Sequence, residues 1–169
     1  GDWSSDVCSS DLSESYESRI TFDKNICKEE IKKIGYLTPK SLIINKNEDY
    51  DIEEILSKLK LPIFIKPNAG GSSFGISRVD DKKNIINSIN FCFKEDDNAL
   101  IEEEISGREI SVGVIKYKNE IISLPPTEII SHNSFFDYDA KYNGESDEIT
   151  PADITIEEEE EVRKISLDI

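Results

Sequence analysis

LPIFIKPNAGGSSFGISRV, residues 61–79, joins a short β-branched run to a lysine and then to a loop holding Gly70, Gly71, Ser72, Ser73 and Gly75. Strand alternation puts Phe64 and Lys66 on the face opposite Ile63 and Ile65. An ammonium at a strand end beside such a loop can pair with phosphate oxygens, while the glycines let backbone N–H groups converge on the same anion. Ser72 and Ser73 add hydroxyl donors. The spacing is neither GxxxxGK[ST] nor GxGxxG. On spacing alone, a phosphate-holding loop and a plain hairpin with a solvated lysine both stand.

Upstream, residues 21–34 carry apolar residues at moderately helical spacing, and Gly35 supplies a C-terminal stop. The run YLTPKSLII predicts a turn into a strand ending near Ile44. Residues 51–60 place Ile52, Ile55, Leu56 and Leu59 on one helical face, with acids early and lysines late, as the helix dipole prefers. Downstream, a helix is predicted over 82–93, then strands NALIEEEI and REISVGVIKY flanking a hairpin or tight connection at Ser106-Gly107. Lys118-Asn119 turns into EIISLPPTEII. Residues 131–149 form a long polar and aromatic loop, the kind that in compact domains is functional or disordered. Thr155 and Glu158 form a capping box for a last helix. The order predicts an α+β fold, an antiparallel sheet with helices on one face.

The chain has 169 residues, enough for one ordinary core, with 37% hydrophobic and 33% charged residues. Its formal charge of −16 opposes nucleic acid and anionic membranes as partners, and no run is apolar enough to span a bilayer. Three cysteines in no paired spacing favour a reducing compartment, and a single histidine leaves no pattern for structural zinc. Residues 1–12, GDWSSDVCSSDL, differ in composition from the Ile/Lys/Asn/Glu-rich text that follows. Asp2 to Leu12 back-translates into something resembling a sequencing-library adapter, so the segment is set aside as non-native; a Ser/Asp-rich tail is the alternative.

Other residues could carry chemistry. Glu102, Glu103 and Glu104 interrupt an apolar strand. As a plain charge run they form an exposed edge; as a linker strand they could recognise an adenine amine, with Glu109 accepting from ribose hydroxyls. FFDYDAKY places Lys141 and Tyr142 in the long loop, where they either pin it down or belong to a lid that closes over phosphate. His132, Ser72 and Ser73 lack the partners of a nucleophilic site.

Four segments, taken together, resemble consecutive blocks of bacterial D-alanine–D-alanine ligases, which are ATP-grasp enzymes. They are FDKNICKEEIKKIGYLTPKSLI, LPIFIKPNAGGSSFGISRV, LIEEEISGREISVGVI and EIISHNSFFDYDAKYNGESDEITPADI. The resemblance implies a nucleotide held between two α+β subdomains: a central one over 13–106, and the start of a C-terminal one over 107–169 with a lid loop at 131–149. Lys24 and Lys66 would contact the α- and β-phosphates. Ser72, Ser73 and Gly75 would cover them. Glu102 would meet the adenine amine, and the backbone of Glu103, Glu104 and Ile105 would line the adenine slot. The family often has a bulkier apolar residue where Glu104 stands. Glu109 would take the ribose, and Lys141 would approach the γ-phosphate. Tyr142 would join Ser72 in locking the lid, a Lys-Tyr pair like that of the dipeptide-forming members.

The reaction so implied joins two D-alanines for peptidoglycan through an acyl phosphate, with ATP and Mg²⁺, in a cytoplasmic and homodimeric full-length enzyme. The family's N-terminal domain, its oxyanion-stabilising arginine and its magnesium ligands match nothing here. The expectation is therefore a fragment of such a ligase that binds substrate groups but is inactive alone, with no metal ligands among its residues. Another ATP-grasp carboxylate–amine ligase, or a non-enzymatic nucleotide-binding module, are the rival readings.

Overall fold

The 61–79 stretch forms two paired strands, β2 (Ile63–Pro67) and β3 (Ser77–Val79), with Ile63 opposite Val79 and Ile65 opposite Ser77. The computed structural model describes residues 15–131 and 146–169. Two helices precede the strands, α1 (Ser15–Phe22) and α2 (Lys24–Lys33), then β1 (Ser41–Asn45) and α3 (Ile52–Lys58). After β3 come a 3₁₀ turn at Lys82–Asn84, α4 (Ile85–Cys92) and β4 (Asn98–Glu103). The first sheet runs β1-β4-β2-β3 and is antiparallel throughout.

Alternation decides which face of this sheet is dry. Ile63, Ile65, Val79, Ala99 and Ile101 point to one side and are fully or almost fully buried. Ile55 and Leu59 from the α3 region and Ile85, Ile89 and Cys92 of α4 complete the cluster. Each large aliphatic side chain buried there contributes about 1.5–3 kcal/mol. Burial also pushes the Cys92 thiol up to about 12, so it behaves as a small apolar group. Phe64, Lys66, Leu100 and Glu102 alternate onto the other face, with Phe64 opposite Glu102 and Lys66 opposite Leu100.

The helix predicted over 21–34 is interrupted at Asp23, whose extended backbone ends α1 and whose carboxylate caps α2 by accepting from the Ile26 N–H at 2.9 Å. Gly35, at φ 92°, ends α2 as expected. Ser106-Gly107 is a connection but not a hairpin, because β4 and β5 (Glu109–Ser111) belong to different sheets. The strand expected over 108–117 divides at Gly113, which packs its backbone against Leu124; β6 (Val114–Tyr117) follows it. Lys118 and Asn119, at φ 48° and 67°, turn β6 into β7 (Glu120–Ser123), as a two-residue hairpin requires. Pro125 and Pro126 lack the N–H groups a ladder needs, so β8 (Thr127–Ser131) is a separate strand. It joins a second sheet in the order β5-β8-β9.

The loop expected over 131–149 is bounded more tightly. Ser131 closes β8, and Ser146–Ile149 form β9, paired along β8. Residues 132–145 lie outside the described residues. The last helix, α5 (Ile156–Asp168), starts with the predicted capping box: the Thr155 hydroxyl accepts from the Glu158 N–H at 3.2 Å and the Glu158 carboxylate accepts from the Thr155 N–H at 2.8 Å. Arg163 of α5 donates to the Ser123 carbonyl at 3.0 Å, and Tyr36 donates to Asp168.

Candidate functional site

The polar face of the first sheet opens onto a cavity of about 660 Å³, within the size range of small-molecule sites. Lys66, Leu100 and Glu102 form its floor, α2 supplies Lys24, Cys27 and Lys28, and α5 supplies Glu161 and Ile165. The position of α2 follows from its N-terminus. The Lys24 N–H donates to the Asn68 carbonyl at 3.0 Å and the Asn25 N–H to the Asn68 side chain at 2.9 Å. One turn of helix separates Lys24 from Lys28, so both project to the same side.

Three cations and a carboxylate meet here. Glu102, only 7% exposed, accepts from Lys28 at 2.7 Å through Oε2 and from Lys66 through Oε1. Burial pushes the Glu102 carboxyl up, but the charge of Lys66 and hydrogen bonds from Lys28 and Lys66 outweigh it and hold the group below the usual carboxylate range. Lys24 donates to the Gly70 carbonyl at 3.1 Å and the Asn68 carbonyl at 3.4 Å. Burial, followed by the neighbouring charge of Lys66, lowers its ammonium pKa below 10.5. An anion brought to this cluster would relieve that repulsion.

The glycine-rich loop leaves β2 beside the cluster. Its base is fastened by the Asn68 N–H to the Asn98 carbonyl at 3.0 Å and by the Ala69 N–H to the Asp96 carboxylate at 2.7 Å. Beyond the base the chain turns left-handed repeatedly: φ is 127° at Gly70, 53° at Ser72, 58° at Ser73 and 71° at Gly75. For serine this region costs of order 1–3 kcal/mol, a strain typical of ligand loops. A Cβ at Gly75 would lie 2.8 Å from Glu95 Cγ and 2.9 Å from Pro67 Cγ. Among the described residues, Ser73 Oγ and Thr38 Oγ1 are buried without a hydrogen-bond partner; Thr38 lines the cavity.

Of the expected site residues, Lys24, Lys66 and Glu102 share the cavity, and Ser72, Ser73 and Gly75 occupy the adjoining loop. Glu103 turns away, accepting from the Lys60 N–H at 2.8 Å. Glu104 is held in a two-pronged grip by Arg78, at 3.0 Å from Nε and 2.8 Å from Nη2, which lowers its pKa. Ile105 is 68% exposed. Glu109 is exposed in β5 and is not part of the cavity lining. Lys141, Tyr142 and His132 lie outside the described residues. Sequence reading missed Lys28, whose signal is its position one turn after Lys24. It also missed Arg108, which grips Glu128 at 2.7 and 2.6 Å and braces β8 to the Asp153 carbonyl. That pair spans 20 residues and carries no local pattern.

A family model described as D-ala D-ala ligase C-terminus matches residues 26–169. A D-alanine–D-alanine ligase of Flavobacterium johnsoniae is 48% identical over 142 residues, covering 84% of this chain and 44% of that protein. One from Christiangramia forsetii is 42% identical over 152 residues, covering 90% and 47%. Among solved structures, the VanG D-Ala:D-Ser ligase of Enterococcus faecalis superposes with a TM-score of 0.79 at 33% identity, covering 89% of this chain and 44% of that one. The D-alanine–D-alanine ligase of Bacillus anthracis gives 0.71 at 35%, covering 89% and 48%. The chain thus spans about half the length of the relatives it matches. With four collinear sequence blocks, an ATP-grasp α+β fold and a family-model match over most of its length, this chain belongs to the D-alanine–D-alanine ligase family.

Proposed function

We propose that this chain contributes the nucleotide-holding part of an ATP-dependent ligase that joins two D-alanines for peptidoglycan. The observation that carries the reading is the gathering of Lys24, Lys66 and Glu102 around one cavity, beside a loop whose serines are held left-handed. ATP fits these groups: the lysines match its phosphates, the unpartnered Ser73 hydroxyl awaits an acceptor, and the bare Gly75 lets the loop pack against Pro67 and Glu95. In this reading Lys24 and Lys66 neutralise the α- and β-phosphates. Ser72, Ser73 and Gly75 cover them, Glu102 accepts from the adenine amine, the backbone of residues 103–105 lines the base, and Glu109 takes the ribose. Lys141 approaches the γ-phosphate, and Tyr142 with Ser72 closes the lid. Residues 13–106 act as the central subdomain and 107–169 as the start of the catalytic one.

The carboxylate of the first D-alanine attacks the γ-phosphorus, giving an acyl phosphate and ADP, and the amine of the second D-alanine then displaces phosphate. Phosphoryl transfer of this kind needs positioning and charge neutralisation more than a protein nucleophile, which suits clustered lysines. Among the described residues no group of three His, Cys, Asp or Glu side chains is arranged to hold a metal ion, so no magnesium ligand is assigned here. No described helix is long and apolar enough to cross a membrane; a cytoplasmic homodimer belongs to the proposal.

The test is D-alanine-dependent release of phosphate from ATP, by a protein that carries this sequence at the full length of its relatives. Turnover is expected there, and none from residues 1–169 alone. Turnover by residues 1–169 would overturn the assignment of the remaining catalytic groups to other segments. The Enterococcus relative is named for D-serine, so both D-alanine and D-serine are to be offered as second substrate, with D-alanine expected to win.

A further inference from the structure

Lys28 is 8% exposed, and a lysine so buried is costly unless a specific partner holds it. Its partner is Glu102, at 2.7 Å. Glu102 thus has two lysines, one on each carboxylate oxygen, although either alone would neutralise it. Building on the nucleotide reading, we propose that Lys28 is a positioning residue that sets base selectivity by keeping Glu102 charged and oriented after Lys66 transfers to phosphate.

The two lysines sit differently. Lys66 is at the end of β2, beside the loop, and its side chain is about twice as accessible as that of Lys28. A phosphate arriving at the loop competes with Glu102 for Lys66. Without Lys28, the departure of Lys66 would leave Glu102 a buried carboxylate with no counter-charge, and burial would drive it to take up a proton. A protonated carboxyl offers an O–H donor beside its remaining acceptor oxygen, so it pairs with the carbonyl of guanine as well as with the amine of adenine and no longer discriminates between them. With Lys28 in place the carboxylate stays ionised and acceptor-only, so it accepts from an amine and repels a carbonyl oxygen. Lys28 touches neither base nor phosphate in this scheme and acts through Glu102. Its place on α2, whose N-terminus is bonded to Asn68 at the base of the loop, keeps it fixed while Lys66 moves.

The test is calorimetric binding of ATP and of GTP to the wild type, Lys28→Met, Lys28→Arg and Glu102→Gln. The wild type is expected to prefer ATP. Lys28→Met should lower the ATP:GTP preference by about tenfold or more, because a mismatched buried polar group discriminates strongly. Lys28→Arg should restore most of it, and in a Glu102→Gln background Lys28→Met should change the preference no further. An unchanged preference in Lys28→Met would overturn the proposal while leaving the nucleotide reading intact. If Lys28→Met does not fold, the decision passes to the arginine variant and the glutamine background: loss of preference in Lys28→Arg equal to that in Glu102→Gln overturns it. A wild type that binds neither nucleotide overturns the nucleotide reading and this proposal together.

Discussion

Lys24 is held where an ammonium is uncomfortable: burial and the charge of Lys66 both lower its pKa below 10.5. Because the unfolded chain then binds more protons than the folded one as pH approaches 10.5 from below, stability without nucleotide is expected to rise with pH through that window. Phosphate reverses the sign by favouring the ammonium. ATP binding at alkaline pH should therefore take up a proton, measurable by calorimetry in two buffers of different ionisation enthalpy; binding without proton uptake would separate Lys24 from the phosphates. At Gly75 the φ of 71° and the 2.8 Å approach to Glu95 act together. Gly75→Ala should cost about 1–3 kcal/mol in chemical denaturation and weaken ATP binding as the loop shifts. Much of this site is legible in the sequence. Strand alternation and glycine and serine content mark Lys66 and its loop as a candidate beside a plain hairpin, and the collinear blocks decide between them and bring in Lys24 and Glu102. The pairing of Lys28 with Glu102 is not legible, because the two lie 74 positions apart and only the packing of α2 over the sheet joins them.

Among the elements, helix termini are written more locally in the sequence than strand partners are. Asp51 and Thr155 cap α3 and α5 through local side-chain contacts with residues two and three positions on, a short-range pattern that sequence carries directly. Thr155→Ala removes half of the capping box and should lower stability by about 1 kcal/mol, read from the denaturation midpoint at unchanged slope. The Lys118-Asn119 turn is equally local. Strand partnership is not: β4 and β5 are neighbours in sequence yet belong to different sheets, and β5 finds β8 instead. Arg108 beside the connection and Glu128 on β8 fix that choice through a paired grip, and their contact becomes visible only in three dimensions. The division of two predicted strands at Gly113 and at Pro125-Pro126 has clearer local signals, the packing of a bare glycine backbone and the missing proline donors.

The molecule as a whole divides its labour between the two faces of its first sheet. One face is sealed by α3 and α4, and its fully buried Ile65 and Ile89 anchor the strand that delivers Lys66. Ile89→Ala should destabilise by about 2–5 kcal/mol, the cost of an aliphatic deletion in a packed core, and should lower nucleotide affinity only through the folded fraction. The other face is left open to the cavity and carries the charges. Alternation along five residues of β2 therefore supplies both the stability and the site, which explains why this strand is the most informative stretch of the chain. In the proposed reading this open face, which carries Lys66 and Glu102, is the one that meets the nucleotide. The most direct measurement is calorimetric titration of the chain with ATP, for the wild type and for Lys66→Ala. Saturable binding is expected for the wild type, and an affinity about tenfold to a hundredfold lower for Lys66→Ala through loss of the charge-assisted contacts. Equal affinity in the two proteins would contradict the assignment of Lys66 and its loop to the phosphates.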